Sequence, residues 1–196
     1  TVVGPLLSSS MNQSGGWNNY CPDGGCGGDE VPNGCVAVSM VAIMHYWQYP
    51  IIGEGQNSCY CGGFGTQSAD FGAAYYDYAA MGDAISASDA AALLLWHAGI
   101  ATNMNYDCEG SGTQVVGGYP SAEYALKNNF LYQSSLYDTY PSAYSDAGWI
   151  AKLKTEIDAN RPFIYVGYSD EGGHAWNCDG YDDELFHMNW GWGGQS

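Results

Sequence analysis

A cysteine that opens an apolar stretch, a histidine behind two glycines and an asparagine beside two tryptophans are the residues of this sequence best equipped for covalent chemistry. The cysteine is Cys35, in Pro32-Asn33-Gly34-Cys35-Val36-Ala37. Pro32, Asn33 and Gly34 supply turn and cap chemistry. From Cys35 onward small and apolar residues recur all round the helical wheel until Gln48-Tyr49-Pro50, which predicts a helix buried inside a domain. A thiol in the first turn of such a helix sits beside unpaired backbone N–H groups and the positive end of the helix dipole, and both favour the thiolate. The plainer alternative is an ordinary packed cysteine, since free Cys is among the most buried residue types. What decides between them lies at the other end of the chain.

Gly172-Gly173-His174-Ala175-Trp176 places a histidine at the start of an apparent strand, and His187-Met188-Asn189-Trp190-Gly191-Trp192-Gly193 places an asparagine beside two indoles. A cysteine, a histidine well downstream and an asparagine after it is the chain order of papain-type hydrolases, although the local papain signature around the cysteine is absent. If the two strands pair in antiparallel fashion, register decides whether His174 and Asn189 share a face. A turn with an even number of residues, such as Asp182-Asp183, sets Asn189 opposite Trp176 and diagonal to His174. A three-residue turn puts it on the wrong face unless a bulge intervenes. His187 is a rival base but lacks the glycine approach that flanks His174. His45 and His97 lie on apolar helical stretches and read as structural.

Composition narrows the class. The chain has 196 residues, enough for one domain of two lobes with a sizeable core. Its 21 acidic against 4 basic residues oppose binding to nucleic acid or an anionic membrane surface. The longest apolar run, Ala90 to Trp96, is far too short to span a bilayer. With no initiator Met, basic leader or signal-type apolar region, the chain reads as a processed mature form. Seven cysteines leave one unpaired in an oxidising compartment. Cys35 is the expected free thiol, and Cys21, Cys26, Cys59, Cys61, Cys108 and Cys178 are expected to form three disulfides of unassigned pairing. A zinc site from Cys21, Cys26, Cys59 and Cys61 is the competing reading, but their spacings fit zinc knuckles poorly. No cofactor and no metal are expected.

The remaining pattern is helical first and sheet-like last. Ser8 to Glu30 and Gly53 to Gln67 read as loops, Phe71 to Met81 carries helical spacing, and Ser88-Asp89 caps a helix over 90–97. Further helices are predicted over 121–130 and 149–160. Then 162–168, 174–181 and 185–190 alternate as strands. This is an α+β layout: a mainly helical lobe over about 1–105, a mainly sheet lobe over 106–196, and a cleft between them.

Taken together, Asn12-Gln13, Gly34-Cys35-Val36-Ala37, Ile43-Met44, Tyr46-Trp47, Tyr49-Pro50, Gly99, Met104, Tyr106, Gly173-His174-Ala175, Asp179-Gly180 and His187 to Gly193 resemble the streptopain family of bacterial cysteine peptidases, within the papain-like superfamily. The resemblance implies a two-lobed papain-like fold and a secreted cysteine endopeptidase made as a zymogen, with its own propeptide as inhibitor and proteins or peptides as substrates. It implies Cys35 as nucleophile, His174 as general base and acid, Asn189 as orienter of the imidazole, and Gln13 with the Cys35 N–H as oxyanion hole. Ser111, Gly172 and Gly173 would line the substrate cleft, with Trp190 and Trp192 over the site. Family members continue past the Asn-Trp-Gly-Trp motif with further strands, so a sheet lobe truncated at its C-terminus is expected. Two alternatives use the same residues differently: an inactive homologue acting as an extracellular binding module, and a transglutaminase or acyltransferase.

Overall fold

The structure, a computed structural model, describes residues 1–27, 29–170 and 172–195. The expected loop 8–30 and the expected end of the chain include Gly28 and Ser196, which lie outside them. Among the described residues, eight strands and five α-helices follow one another as β1 (Val2–Val3), β2 (Asp23–Cys26), β3 (Asp29–Glu30), α1 (Cys35–Trp47), β4 (Gln56–Tyr60), β5 (Thr66–Asp70), α2 (Tyr78–Met81), α3 (Asp89–Ala101), α4 (Ala122–Asn128), α5 (Asp146–Asp158), β6 (Phe163–Ser169), β7 (Gly172–Asp182) and β8 (Leu185–Asn189). The fold class is α+β, with helices first and the main antiparallel sheet last.

Helix α1 is buried from Val36 to His45 because apolar or small residues occupy every side of it. Gln48, in the left-handed region, ends it by donating its N–H to His45 and Met44 carbonyls. Ser88, Ser121 and Ser145 cap α3, α4 and α5, each hydroxyl accepting a backbone N–H three residues on. α1, α3 and α4 pack on one another around Met40, Met44, Leu94, Leu95 and Phe130. His45 and His97 sit in this region as structural groups: His45 Nε2 meets the Gly82 carbonyl, and His97 Nδ1 meets the Tyr76 hydroxyl at 2.9 Å.

β7 is the spine of the sheet. It pairs with β6 from Gly172 to Cys178, with β8 from Asn177 to Asp182, and with β1 at Tyr181 and Asp182. One face, through Ile164, Val166 and Ala175, joins the core around α1. Asn177 fastens the same face by donating to the Ser39 carbonyl inside α1. The other face, through Phe163, Cys178 and Met188, closes a smaller core with Ile157 of α5.

Four expectations about the elements need correction, the first being the loop read over 8–30, whose last part pairs as β2 and β3. The stretch 53–67, taken for a loop, is mostly β4 and its turn into β5; the strand alternation is present, but its inward residues are Asn57, Cys59, Gln67 and Ala69, too small or polar to announce a strand. Of Phe71 to Met81 only the last four residues are helical. The cysteines form two disulfides, Cys26–Cys108 and Cys59–Cys61, and leave Cys21, Cys35 and Cys178 free. Cys21 and Cys178 stay thiols because they are buried in different cores: Cys21 donates to Asn33 Oδ1, and Cys178 packs on Ile157 and Tyr181. Burial pushes both thiols up to about 12, so neither offers a thiolate at neutral pH.

Candidate active site

Cys35 is the first residue of α1, as its cap residues predict, and is partly exposed. Gly34 before it has φ 87°, a conformation that favours glycine, and a Cβ there would stand 2.7 Å from the Ser111 carbonyl oxygen and 2.8 Å from Met104 Sδ. Only glycine lets the 105–112 loop close against the start of α1. That closure brings Ser111 against Gly34, the residue before Cys35, with its own hydroxyl accepting the Asp107 N–H. The Cys26–Cys108 disulfide ties the same loop to β2.

Asn33 does more than turn the chain. Fully buried, it donates from Nδ2 to the Trp17 carbonyl, accepts the Cys21 thiol at Oδ1, and donates its N–H to the Gln13 carbonyl at 2.9 Å. These bonds fasten the Gln13 loop to the entrance of α1. Gln13 is thereby held at the end of the helix where Cys35 lies.

From the sheet, Ala175 N–H donates to Cys35 Sγ at 3.4 Å, so the residue after His174 touches the thiol. His174 Nε2 lies 3.0 Å from the Trp190 carbonyl oxygen. A carbonyl only accepts, so Nε2 carries the hydrogen and Nδ1 is left free to take a proton. The imidazole stacks on three indoles, with ring centroids 5.0 Å from Trp192, 5.8 Å from Trp176 and 6.2 Å from Trp190. Gly172 and Gly173 are exposed at the open end of β7, where Gly173 approaches the Tyr168 ring.

Asn189 is the correction. The turn between β7 and β8 has two residues, Asp183 and Glu184, an even number as expected, but the register then shifts between Cys178 and Gly180. This bulge pairs Asn189 with Asn177, not with Trp176, and turns it away from the His174 face. Its Nδ2 donates to the Ser9 carbonyl at 2.8 Å, and its Oδ1 accepts the Gly191 N–H at 3.2 Å. Asn189 therefore pins the Trp190–Gly191 turn to the N-terminal loop, and Gly193 reinforces it by donating to the Met11 carbonyl. The partner of the ring is the backbone of Trp190.

The extra residue at the bulge is Asp179, which the strand pattern hid. It is wholly buried, and its carboxylate accepts the Leu7 N–H at 3.0 Å and faces His187 Nδ1 at 2.6 Å. A buried acid needs such partners. An aspartate in an aromatic strand with a histidine on the next strand was the available signal. It occupies His187, the rival base.

A sequence model described as the peptidase C10 family matches residues 11–196. This chain belongs to the peptidase C10 family. Among curated relatives, it is 34% identical over 178 residues to the thiol protease/hemagglutinin PrtT of Porphyromonas gingivalis, covering 86% of the chain and 20% of that protein. It is 31% identical over 183 residues to streptopain of Streptococcus pyogenes, covering 86% of the chain and 45% of the relative. The chain thus spans less than half the length of either. Among solved structures, active interpain A of Prevotella intermedia superposes with a TM-score of 0.85 at 29% identity, over 99% of this chain and 83% of that one. Prointerpain A of the same organism gives 0.84 at 30% identity, over 98% and 63%.

Proposed function

We propose that this chain is a cysteine endopeptidase in which Cys35 attacks the peptide carbonyl and His174 handles the protons. The observation that carries the reading is the Ala175 N–H on Cys35 Sγ at the N-terminus of α1, beside a His174 ring whose Nε2 is committed to the Trp190 carbonyl. The first turn of α1 and that donated N–H both face the sulfur, and Nδ1 is the imidazole nitrogen left to exchange a proton with it.

The thiolate adds to the carbonyl carbon, and the resulting oxyanion is met by the Cys35 N–H and the Gln13 side chain. His174 gives its proton to the departing amine, leaving an acyl group on sulfur. Water, deprotonated by the same imidazole, then releases the acid and restores the thiol pair. Trp192 and Trp190 flank the ring and limit access of water to the Nε2–H···O bond. Ser111, Gly172 and Gly173 border the cleft on the acyl side, where glycines let a substrate backbone lie close to the sheet. The Asn189 role becomes one of positioning, through the Trp190 carbonyl it helps to hold.

The relatives named as thiol protease and streptopain support proteins or peptides as substrates. Prointerpain A is, as its name says, a pro-form, and we extend to this chain an inhibitory propeptide and release to the cell exterior. No helix among the described residues is long and apolar enough to cross a membrane.

The test is mass-spectrometric product analysis on an unstructured protein substrate, with and without an added primary amine. New termini carrying free carboxylates, lost in Cys35→Ala, are expected. Amine-capped products in place of acids would make the chain a transferase, and binding without any cleavage would make it a binding module.

A further inference from the structure

Beyond the imidazole the same sheet face continues as a line of aromatic rings. Trp176 stacks under His174 and meets Tyr165 at 5.3 Å; Tyr165 meets Trp149 of α5 at 6.2 Å; Trp149 meets Tyr144 at 5.6 Å. Trp190 and Trp192 flank its near end, and Trp192 is 46% exposed. At the far end Tyr144 is 39% exposed. Gly167 makes the line possible, since a Cβ there would lie 2.7 Å from the Trp176 ring. Trp149 is held in place by its indole N–H, which donates to the Tyr165 hydroxyl.

The side of the scissile bond that meets this strip follows from chemistry. His174 must protonate the departing amine, so the chain that leaves with that nitrogen emerges over the face on which the imidazole is stacked. In an extended peptide alternate side chains fall on one side, roughly 7 Å apart. Successive rings of the strip are spaced between 5.3 and 6.2 Å, close enough for alternate side chains to rest on neighbouring rings.

We propose that Trp176, Tyr165, Trp149 and Tyr144 form a binding strip for the leaving segment of a polypeptide substrate, taking aromatic or large apolar side chains at the second and fourth positions after the scissile bond. The proposal rests on the peptidase reading above. What commits the strip to substrate is its continuity with the imidazole, from Trp192 outward.

The experiment uses quenched fluorescent peptides identical up to the scissile bond, with Gly directly after it and either Trp or Ser at the second and fourth positions beyond. Wild type is expected to prefer the Trp peptides by about tenfold or more in kcat/KM, the size of one well-buried aromatic contact. Trp149→Ala should bring the fourth-position preference close to one, whereas Trp149→Phe, which keeps a ring, should retain most of it. If Trp149→Ala does not fold, Tyr144→Ser at the exposed end serves, with a smaller loss at the same position. Cleavage of all peptides without preference overturns this inference and leaves the peptidase reading standing. Cleavage of none overturns the peptidase reading and this inference with it. Concentration-dependent dimerisation abolished by Trp149→Ala, with no peptide preference, assigns the face to a second copy and also overturns it.

Discussion

Cys35 and His174 reach the same place by different means. Cys35 is put there locally: Gly34 turns the chain, α1 begins, and the thiol occupies the first turn whatever the sheet does. His174 is put there by long-range pairing, through β6, the β7–β8 register and a bulge around Asp179 that depends on a loop near residue 7. On the proposed mechanism, a nucleophile set by local geometry and a base set by tertiary pairing should fail in separable ways. Mutations in the sheet should disarm the imidazole while leaving the thiol in place.

The largest effects come from removing either group. Cys35→Ala and His174→Ala should each lower kcat/KM by about 10⁴-fold or more, and the double variant little further, because the two act as a unit. Initial-rate assays that show additive losses would break that link. Next is Asp179→Ala, which leaves the Leu7 N–H and His187 without their buried acceptor. A loss of about 3 kcal/mol in urea unfolding is expected. Peptide hydrolysis should fall with it, while Cys35 still alkylates fully at pH 9; loss of thiol labelling in folded protein would show that the two ends are not independent.

A second imidazole sharpens the contrast. His97, buried beside Tyr76, is lowered from its ordinary value near 6.5 to about 4, by desolvation first and against a smaller opposing pull from Asp70. The unfolded chain then binds a proton that the native protein refuses, so stability is full above pH 6.5 and falls as pH drops towards 4. The loss is about 3 kcal/mol at most. Urea midpoints at pH 7 and pH 4 should fall further for wild type than for His97→Gln; equal losses would contradict the burial account.

Asn189→Ala should have the smallest effect, about tenfold in kcat with KM nearly unchanged, because the Trp190 carbonyl remains and only its anchorage to Ser9 and Gly191 is lost. A loss matching that of His174→Ala would mean that the side chain acts on the ring directly.

What could be read beforehand divides along the same line. The cap residues before Cys35, the apolar run of α1 and the alternation of β6 to β8 are local signals, and each element lies where its pattern put it. The β7–β8 turn, Asp183-Glu184, has the even length expected from the alternation. The bulge was not foreseeable from period alone, because one extra residue at Asp179 leaves the alternation on either side intact while exchanging the faces beyond it. The β4–β5 hairpin was missed since its inward residues are not apolar. Three disulfides were inferred from an even remainder of cysteines, an argument that ignores whether two thiols lie in the same core.

The most direct test of the central claim is iodoacetamide labelling of the folded protein at pH 5.5, mapped by mass spectrometry. Cys21 and Cys178 are buried with thiols pushed up to about 12, so they should stay unmodified. A single stoichiometric adduct at Cys35, with Cys21 and Cys178 labelled only after denaturation, is the predicted result. No adduct at Cys35, or equal labelling of Cys21 and Cys178 in the folded protein, would contradict it.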